Sequence, residues 1–248
     1  MLAIIGGSGL SSLAELEGAG RRAVRTRYGD PSDSLTFGSL ASQPVVFLAR
    51  HGGGHTIAPH EINYRANIWA LRECGVKAIF AVATVGGIRE DCTPGALLVP
   101  DQLIDYTWGR KSTFFEETAP VTHVDFTEPY APRLRTALLA AAGAAGTPII
   151  DGGTYGATQG PRLETAAEVD RLARDGCTVV GMTGMPEAAL AREAGLEYAL
   201  LAVVVNHAAG RGDSRREIVI SQLRQVLEGA MDNVRRVLRQ AVQLMEST

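Results

Sequence analysis

Lysine is nearly missing from this chain. Lys77 and Lys111 are the only two, so arginine carries almost all the positive charge. The planar arginine fork suits bidentate contacts to oxyanions, although genomic base composition accounts for the same bias and for the abundance of alanine. Cysteine is also scarce. Cys74, Cys92 and Cys177 are odd in number and far apart, which gives neither a disulfide framework nor metal-ligand spacing. They are expected as reduced core or helix-surface residues of a cytoplasmic protein. No apolar run approaches the roughly 20 residues of a membrane span. The opening "MLAIIGGSGL" lacks the basic segment and the apolar length of a signal peptide. Charge of one sign is not in excess either, and a formal net charge of −3 gives no reason to expect nucleic acid as a partner.

What is present is a large apolar fraction. With 46% hydrophobic residues in 248, the chain can bury a sizeable core. Buried strands are expected at Leu2–Ile5, Leu35–Ser39, Val45–Ala49 and Ala78–Val85, the last broken by Gly86-Gly87. Further strand-like pieces cover Ala96–Pro100, Gln102–Tyr106, Gly153–Ala157, Val179–Gly181 and Glu197–Val205. Helices are expected from about Glu61 to Cys74, over Ala131–Ala145, from Glu164 to about Arg174, over "TGMPEAALAREAG", and from about Arg215 to Met245. Between them, Arg110 to Pro129 has no clear period, and a loop of that length usually belongs to a binding site or an oligomer contact. Strands alternate with helices, with hairpin-like pairs intervening. That pattern predicts a single α/β domain over residues 1–248, a three-layer sandwich around a mixed β-sheet.

Several strands end in groups that suit an anion. In "IIGGSGL", glycines around Ser8 let backbone N–H groups converge on an oxyanion; a tight turn is the plain alternative. A dinucleotide fingerprint would need glycine at position 12, where Ser12 stands. "ARHGGGHTIAPH" places Arg50, His51, His55 and His60 in one loop. An Arg-His pair there suits a phosphate dianion, whereas a zinc site lacks helical spacing and a carboxylate or cysteine cluster. "VATVGGI" sets Thr84 at another strand end, "TQGPRLET" offers Glu164, and "VGMTGMPEAAL" offers Met182 and Thr183. Taken singly, each reads as a turn, a helix-dipole partner or a core residue. Convergence at one end of a sheet is what those readings leave unexplained, because α/β sheets bind ligands beyond their strand ends.

These stretches, with "LARHGGGHTIAPHEINYRANIWAL", "GMTGMPEAALAREAGL" and the strand ending at Asn206, resemble the trimeric purine nucleoside phosphorylase and methylthioadenosine phosphorylase family. The likeness runs in order from Leu2 to about Asn206. It implies a nucleoside phosphorylase-like fold and reversible phosphorolysis of an N-glycosidic bond, with orthophosphate as co-substrate and neither a metal nor an organic cofactor. It places Ser8, Arg50, His51 and Thr183 on phosphate, with Thr84 next to phosphate and ribose. Met182 falls under the ribose, and Glu164 and Asn206 on the purine. Arg50, Glu164 and Asn206 are thereby the expected catalytic groups. The resemblance also implies a homotrimer in which His123 reaches into the neighbouring subunit's site. One departure concerns Ala83, where methylthioadenosine phosphorylases usually have a hydroxyl residue; here the hydroxyl sits one position later, on Thr84.

Asn206 and Glu164 together argue for the base. A 6-oxopurine presents an O6 acceptor and an N1–H donor, and a 6-aminopurine the reverse. An ionised glutamate only accepts, so it suits N1–H, while the Asn206 amide can donate to O6 or N7. Family members specific for 6-aminopurines typically carry Asp at the positions of Asn206 and Ala208 and Ser at that of Glu164. Hypoxanthine is therefore expected over adenine. At the 5' end, "DSRREIVISQLRQVL" has no histidine, and Ile218, Ile220 and Leu223 are available for an apolar wall that fits a methylthio group. The expected substrate is 5'-methylthioinosine, with inosine slower. Methylthioadenosine or inosine and guanosine are the alternative substrates, and a nucleotide-binding regulatory module is the non-enzymatic alternative.

Overall fold

The computed structural model describes residues 1–116 and 120–245. In chain order these form β1 (Leu2–Gly6), β2 (Glu17–Arg22), β3 (Leu35–Leu40), β4 (Gln43–Ala49), α1 (Tyr64–Glu73), β5 (Ala78–Gly87), β6 (Leu97–Val99) and β7 (Gln102–Asp105). Then follow α2 (Pro132–Ala144), β8 (Ile150–Asp151), β9 (Thr154–Ala157), α3 (Ala166–Arg174), β10 (Cys177–Gly181), α4 (Gly184–Glu193), β11 (Glu197–His207) and α5 (Ile220–Leu244). All the strands join one mixed sheet. β4, β1, β5 and β11 lie side by side and parallel, so their carboxyl ends share one edge. β10 runs antiparallel to β5 and carries β9 and β7 beyond it, while β3 and β2 extend the opposite side as antiparallel strands.

The alternation of a strand sorts β11 between two cores. Leu200, Ala202 and Val204 pack with Tyr64, Ile68 and Leu71 of α1 and Leu190 of α4. Ala199, Leu201 and Val203 face Leu134 and Leu138 of α2 and Val234 and Leu238 of α5. A continuous apolar run is what a strand covered on both faces requires, and the layers are helix, sheet, helix, as expected.

Several boundaries differ from the sequence reading. β5 does not break at Gly86-Gly87 but runs through it. A Cβ on Gly87 would fall 1.8 Å from the Cys92 carbonyl oxygen, so this glycine serves close backbone approach and not a turn. The helix expected from Glu164 starts at Ala166, because Thr165 caps it: its hydroxyl accepts from Glu168 N–H while Glu168 accepts from Thr165 N–H. α1 likewise starts after Asn63, whose side chain accepts from Ala66 N–H. The C-terminal helix begins at Ile220 and not near Arg215. β2, "EGAGRR", is a wholly exposed strand with no apolar alternation to announce it.

Candidate active site

A cleft of about 460 Å³ opens where β1, β4, β5 and β11 end. Ser8, Arg50, His51, Thr84, Met182, Thr183, Glu164 and Asn206 all line it. His123 does not line the cleft of its own chain and lies on an exposed stretch. Among the described residues, no group of three or more His, Cys, Asp or Glu side chains is placed to hold a metal ion.

On the β1–β4 side, Gly7 leaves its strand with no room for a side chain. A Cβ there would lie 2.6 Å from the Val82 oxygen and 2.9 Å from Arg50 Nη1. Arg50 is wholly buried, as is its partner Glu187. Arg50 Nε and Nη2 donate to the two Glu187 carboxylate oxygens, each at 2.7 Å, and Nη1 donates to Val82 O at 2.8 Å. Tyr198 donates its hydroxyl to Glu187 Oε1 at 2.8 Å. Burial opposes the Arg50 charge, but Glu187 outweighs it and raises the guanidinium above its ordinary range. Three of the five N–H groups are thus committed to the protein, leaving two for a ligand.

Ser8 lies beside His55, with Oγ and Nε2 3.5 Å apart. His51 donates Nδ1–H to the Ile57 carbonyl at 2.8 Å, which leaves Nε2 as an acceptor. Burial, then the Arg50 charge, push His51 down to about 4. Because this value lies below the ordinary 6.5, the unfolded chain takes up the proton first as pH falls. Stability present above pH 6.5 is therefore lost progressively toward pH 4. His51→Gln is expected to flatten the slope of urea-unfolding stability between about pH 6.5 and 5, a range above most carboxylate titration. An unchanged slope would place the proton elsewhere.

On the β10–β11 side, the pairing of β11 with β5 shifts register between Val204 and Asn206. A bulge of this kind re-aims side chains, and both Val205 and Asn206 line the cleft. Asn206 Nδ2 donates to the His207 carbonyl at 2.6 Å, which fixes the amide and leaves one N–H and Oδ1 for a ligand. His207 is not a lining residue; its Nδ1 accepts from Asp213 N–H at 3.4 Å. Glu164 Oε1 accepts from the Thr158 hydroxyl at 2.6 Å, leaving Oε2 as an acceptor. Met182 is held from behind: a Cβ on Gly160, at φ +64°, would meet its sulfur at 2.5 Å. Thr183 N–H donates to the buried Tyr155 hydroxyl at 3.2 Å.

The apolar wall is narrower than expected. Leu223 lines the cleft, whereas Ile220 is 64% exposed and Ile218 is not a lining residue. Ile220 opens α5, and the residue one turn on faces inward. Leu227, a further turn along, closes so tightly on Gly9 that a methyl there would fall 2.8 Å from its Cδ2.

This chain belongs to the Phosphorylase superfamily, whose sequence model matches residues 1–243. It is 54% identical to a probable S-methyl-5'-thioinosine phosphorylase of Xanthomonas campestris, over 92% of each chain. It is 43% identical to a 6-oxopurine nucleoside phosphorylase of Pyrococcus furiosus, over 98% of this chain and 92% of the relative. Among solved structures, methylthioadenosine phosphorylase from Schistosoma mansoni in complex with adenine superposes with a TM-score of 0.94 at 34% identity, covering 100% of this chain and 92% of the other. The family resemblance and the fold class are borne out.

Proposed function

We propose that this chain, folded as one domain over residues 1–248, cleaves 5'-methylthioinosine with orthophosphate to give hypoxanthine and 5-methylthioribose 1-phosphate. The observation that carries this reading is the pairing of Glu164 Oε2 and the Asn206 amide in the same cleft as Arg50, Ser8 and His51. An acceptor and a donor there match N1–H and the O6 or N7 of a 6-oxopurine. The two uncommitted Arg50 N–H groups, with the Ser8 and Thr183 hydroxyls, hold phosphate; neutral His51 accepts from the hydroxyl of hydrogen phosphate. Thr84 sits between phosphate and ribose, and Met182 lies against the sugar.

As the glycosidic bond breaks, positive charge grows on the ribose and negative charge on the purine. Phosphate held beneath the sugar stabilises the first, and Asn206 donating to the base stabilises the second. Leu223 fits a methylthio group better than a hydroxyl. His123 completes the site from a neighbouring subunit of a cytoplasmic homotrimer, a reading supported by the exposed Trp108, Val121 and Val124 of the same segment. No resident cofactor enters the scheme.

The test is release of free hypoxanthine from 5'-methylthioinosine with and without phosphate, with the sugar phosphate followed by phosphorus NMR. Phosphate-dependent release is expected. Binding without cleavage would favour the regulatory-module reading.

A further inference from the structure

Arg110 sits in a stretch without periodicity, where nothing in the sequence singles it out. Its guanidinium gathers more acceptors than any residue of the cleft itself. Nη1 donates to the carbonyls of Met182 at 2.9 Å and Met185 at 2.6 Å, and reaches the Tyr64 hydroxyl at 3.2 Å. Nη2 donates to the carbonyls of Gln159 at 2.7 Å and Thr158 at 3.3 Å, and Nε to Gln159 Oε1 at 3.2 Å. Four of these acceptors are backbone carbonyls from two loops: Thr158 and Gln159 just past the end of β9, and Met182 just past the end of β10 with Met185 at the kinked start of α4.

Both loops carry nucleoside-side residues. One bears Met182. The other begins at Thr158, whose N–H donates to Gly181 O at 2.8 Å and whose hydroxyl holds Glu164 Oε1 at 2.6 Å. Of the phosphate-side groups, Ser8, Arg50 and His51 are fixed by Gly7, Glu187 and Ile57, and Thr183, which stands between the two methionine carbonyls that Arg110 holds, has its own anchor in the Tyr155 hydroxyl. From this juxtaposition we infer that Arg110 is a positioning residue whose main effect falls on the nucleoside half of the cleft, acting through Met182 and through Thr158 on Glu164, while Tyr155 keeps Thr183 in place. The inference deepens the phosphorolysis reading and rests on it for the name of the ligand. Arg110 suits the task because its planar fork carries five N–H donors in fixed directions and spans carbonyls from separate segments, whereas an ammonium is a compact point with three. Misplacement of a binding group by about 1 Å costs on the order of 100-fold.

The experiment compares the unaltered protein with Arg110→Gln, Arg110→Lys and Thr158→Val. Calorimetric Kd values for hypoxanthine and for inorganic phosphate are measured alongside KM for the nucleoside and for phosphate. Arg110→Gln is expected to weaken hypoxanthine binding and raise nucleoside KM by roughly 10-fold or more, with both phosphate constants within about twofold. Thr158→Val, which exchanges the hydroxyl for a methyl, isolates the link to Glu164 and should show the same split at smaller size; Arg110→Lys, which keeps the charge but not the fork, tests Arg110 itself if Arg110→Gln does not fold and should show the split as well. Constants for base and phosphate that rise together, or base constants that do not move in any folded variant, would overturn the inference. An unaltered protein that binds base and phosphate yet releases no base would sink the phosphorolysis reading while leaving the split to be read from the Kd values. One that binds neither sinks both.

Discussion

Glu187→Gln is expected to lower the melting temperature by roughly 10 °C and to raise KM for phosphate well above its effect on KM for the nucleoside. The substitution keeps the shape of the side chain and removes its charge. Arg50 would then hold an uncompensated guanidinium at 0% exposure. Breaking one partner of a buried ion pair costs about 3–5 kcal/mol, and each kcal/mol shifts the melting temperature of a domain this size by about 2–4 °C. The phosphate effect follows from geometry. With the glutamine NH2 facing Arg50 Nε, the fork loses its bidentate grip and keeps only the bonds from Nη2 to the remaining carbonyl oxygen and from Nη1 to Val82 O, and the two N–H groups left for phosphate lose their aim. Tyr198, which donates to the same carboxylate oxygen, can keep its bond to the glutamine carbonyl, so the fold itself should survive. Thermal unfolding with steady-state kinetics in both substrates checks this; an unchanged melting temperature with unchanged phosphate KM would contradict it.

Asn206→Asp is expected to move selectivity toward adenine nucleosides. The amide donates to O6 or N7 of a 6-oxopurine. A carboxylate at that position would face the O6 lone pairs with no proton between them, yet would accept well from an N6 amino group. A mismatched polar contact in a closed site costs about 1–3 kcal/mol, so the ratio of kcat/KM for 5'-methylthioinosine over 5'-methylthioadenosine should fall by roughly 10- to 100-fold. Glu164 would remain as an acceptor against an unprotonated adenine N1, so the variant should stay a slow enzyme on 5'-methylthioadenosine even as the ratio falls. A ratio that does not change would remove Asn206 from the role assigned to it.

The two variants probe residues of unequal legibility. Asn206 was visible because a polar residue at the end of an unbroken apolar strand calls for an explanation, and Ser8, Arg50 and Thr84 stand out for the same reason. Glu187 was not. It lies 137 positions from Arg50, in an alanine-rich helix just after Pro186, where an acidic residue reads as a partner for the helix dipole. Nothing local separates that ordinary role from a buried counter-charge. Tyr198 was hidden in the apolar run of β11, and Arg110 in a loop without pattern. The glycine pair at positions 86 and 87 misled for a related reason: glycine signals a turn by conformational freedom and a close contact by small size, and only packing against Cys92 and Ala208 tells which applies. Sequence thus exposes what the strand ends present to a ligand. The groups that hold those ends in place come from distant segments and emerge only with the fold.

The most direct measurement is kcat/KM, at saturating phosphate, for 5'-methylthioinosine, 5'-methylthioadenosine, inosine and adenosine on the unaltered protein. The account predicts that 5'-methylthioinosine leads, with both 6-oxopurine nucleosides ahead of their 6-amino counterparts by about 10-fold or more. A preference for 5'-methylthioadenosine over 5'-methylthioinosine would contradict it.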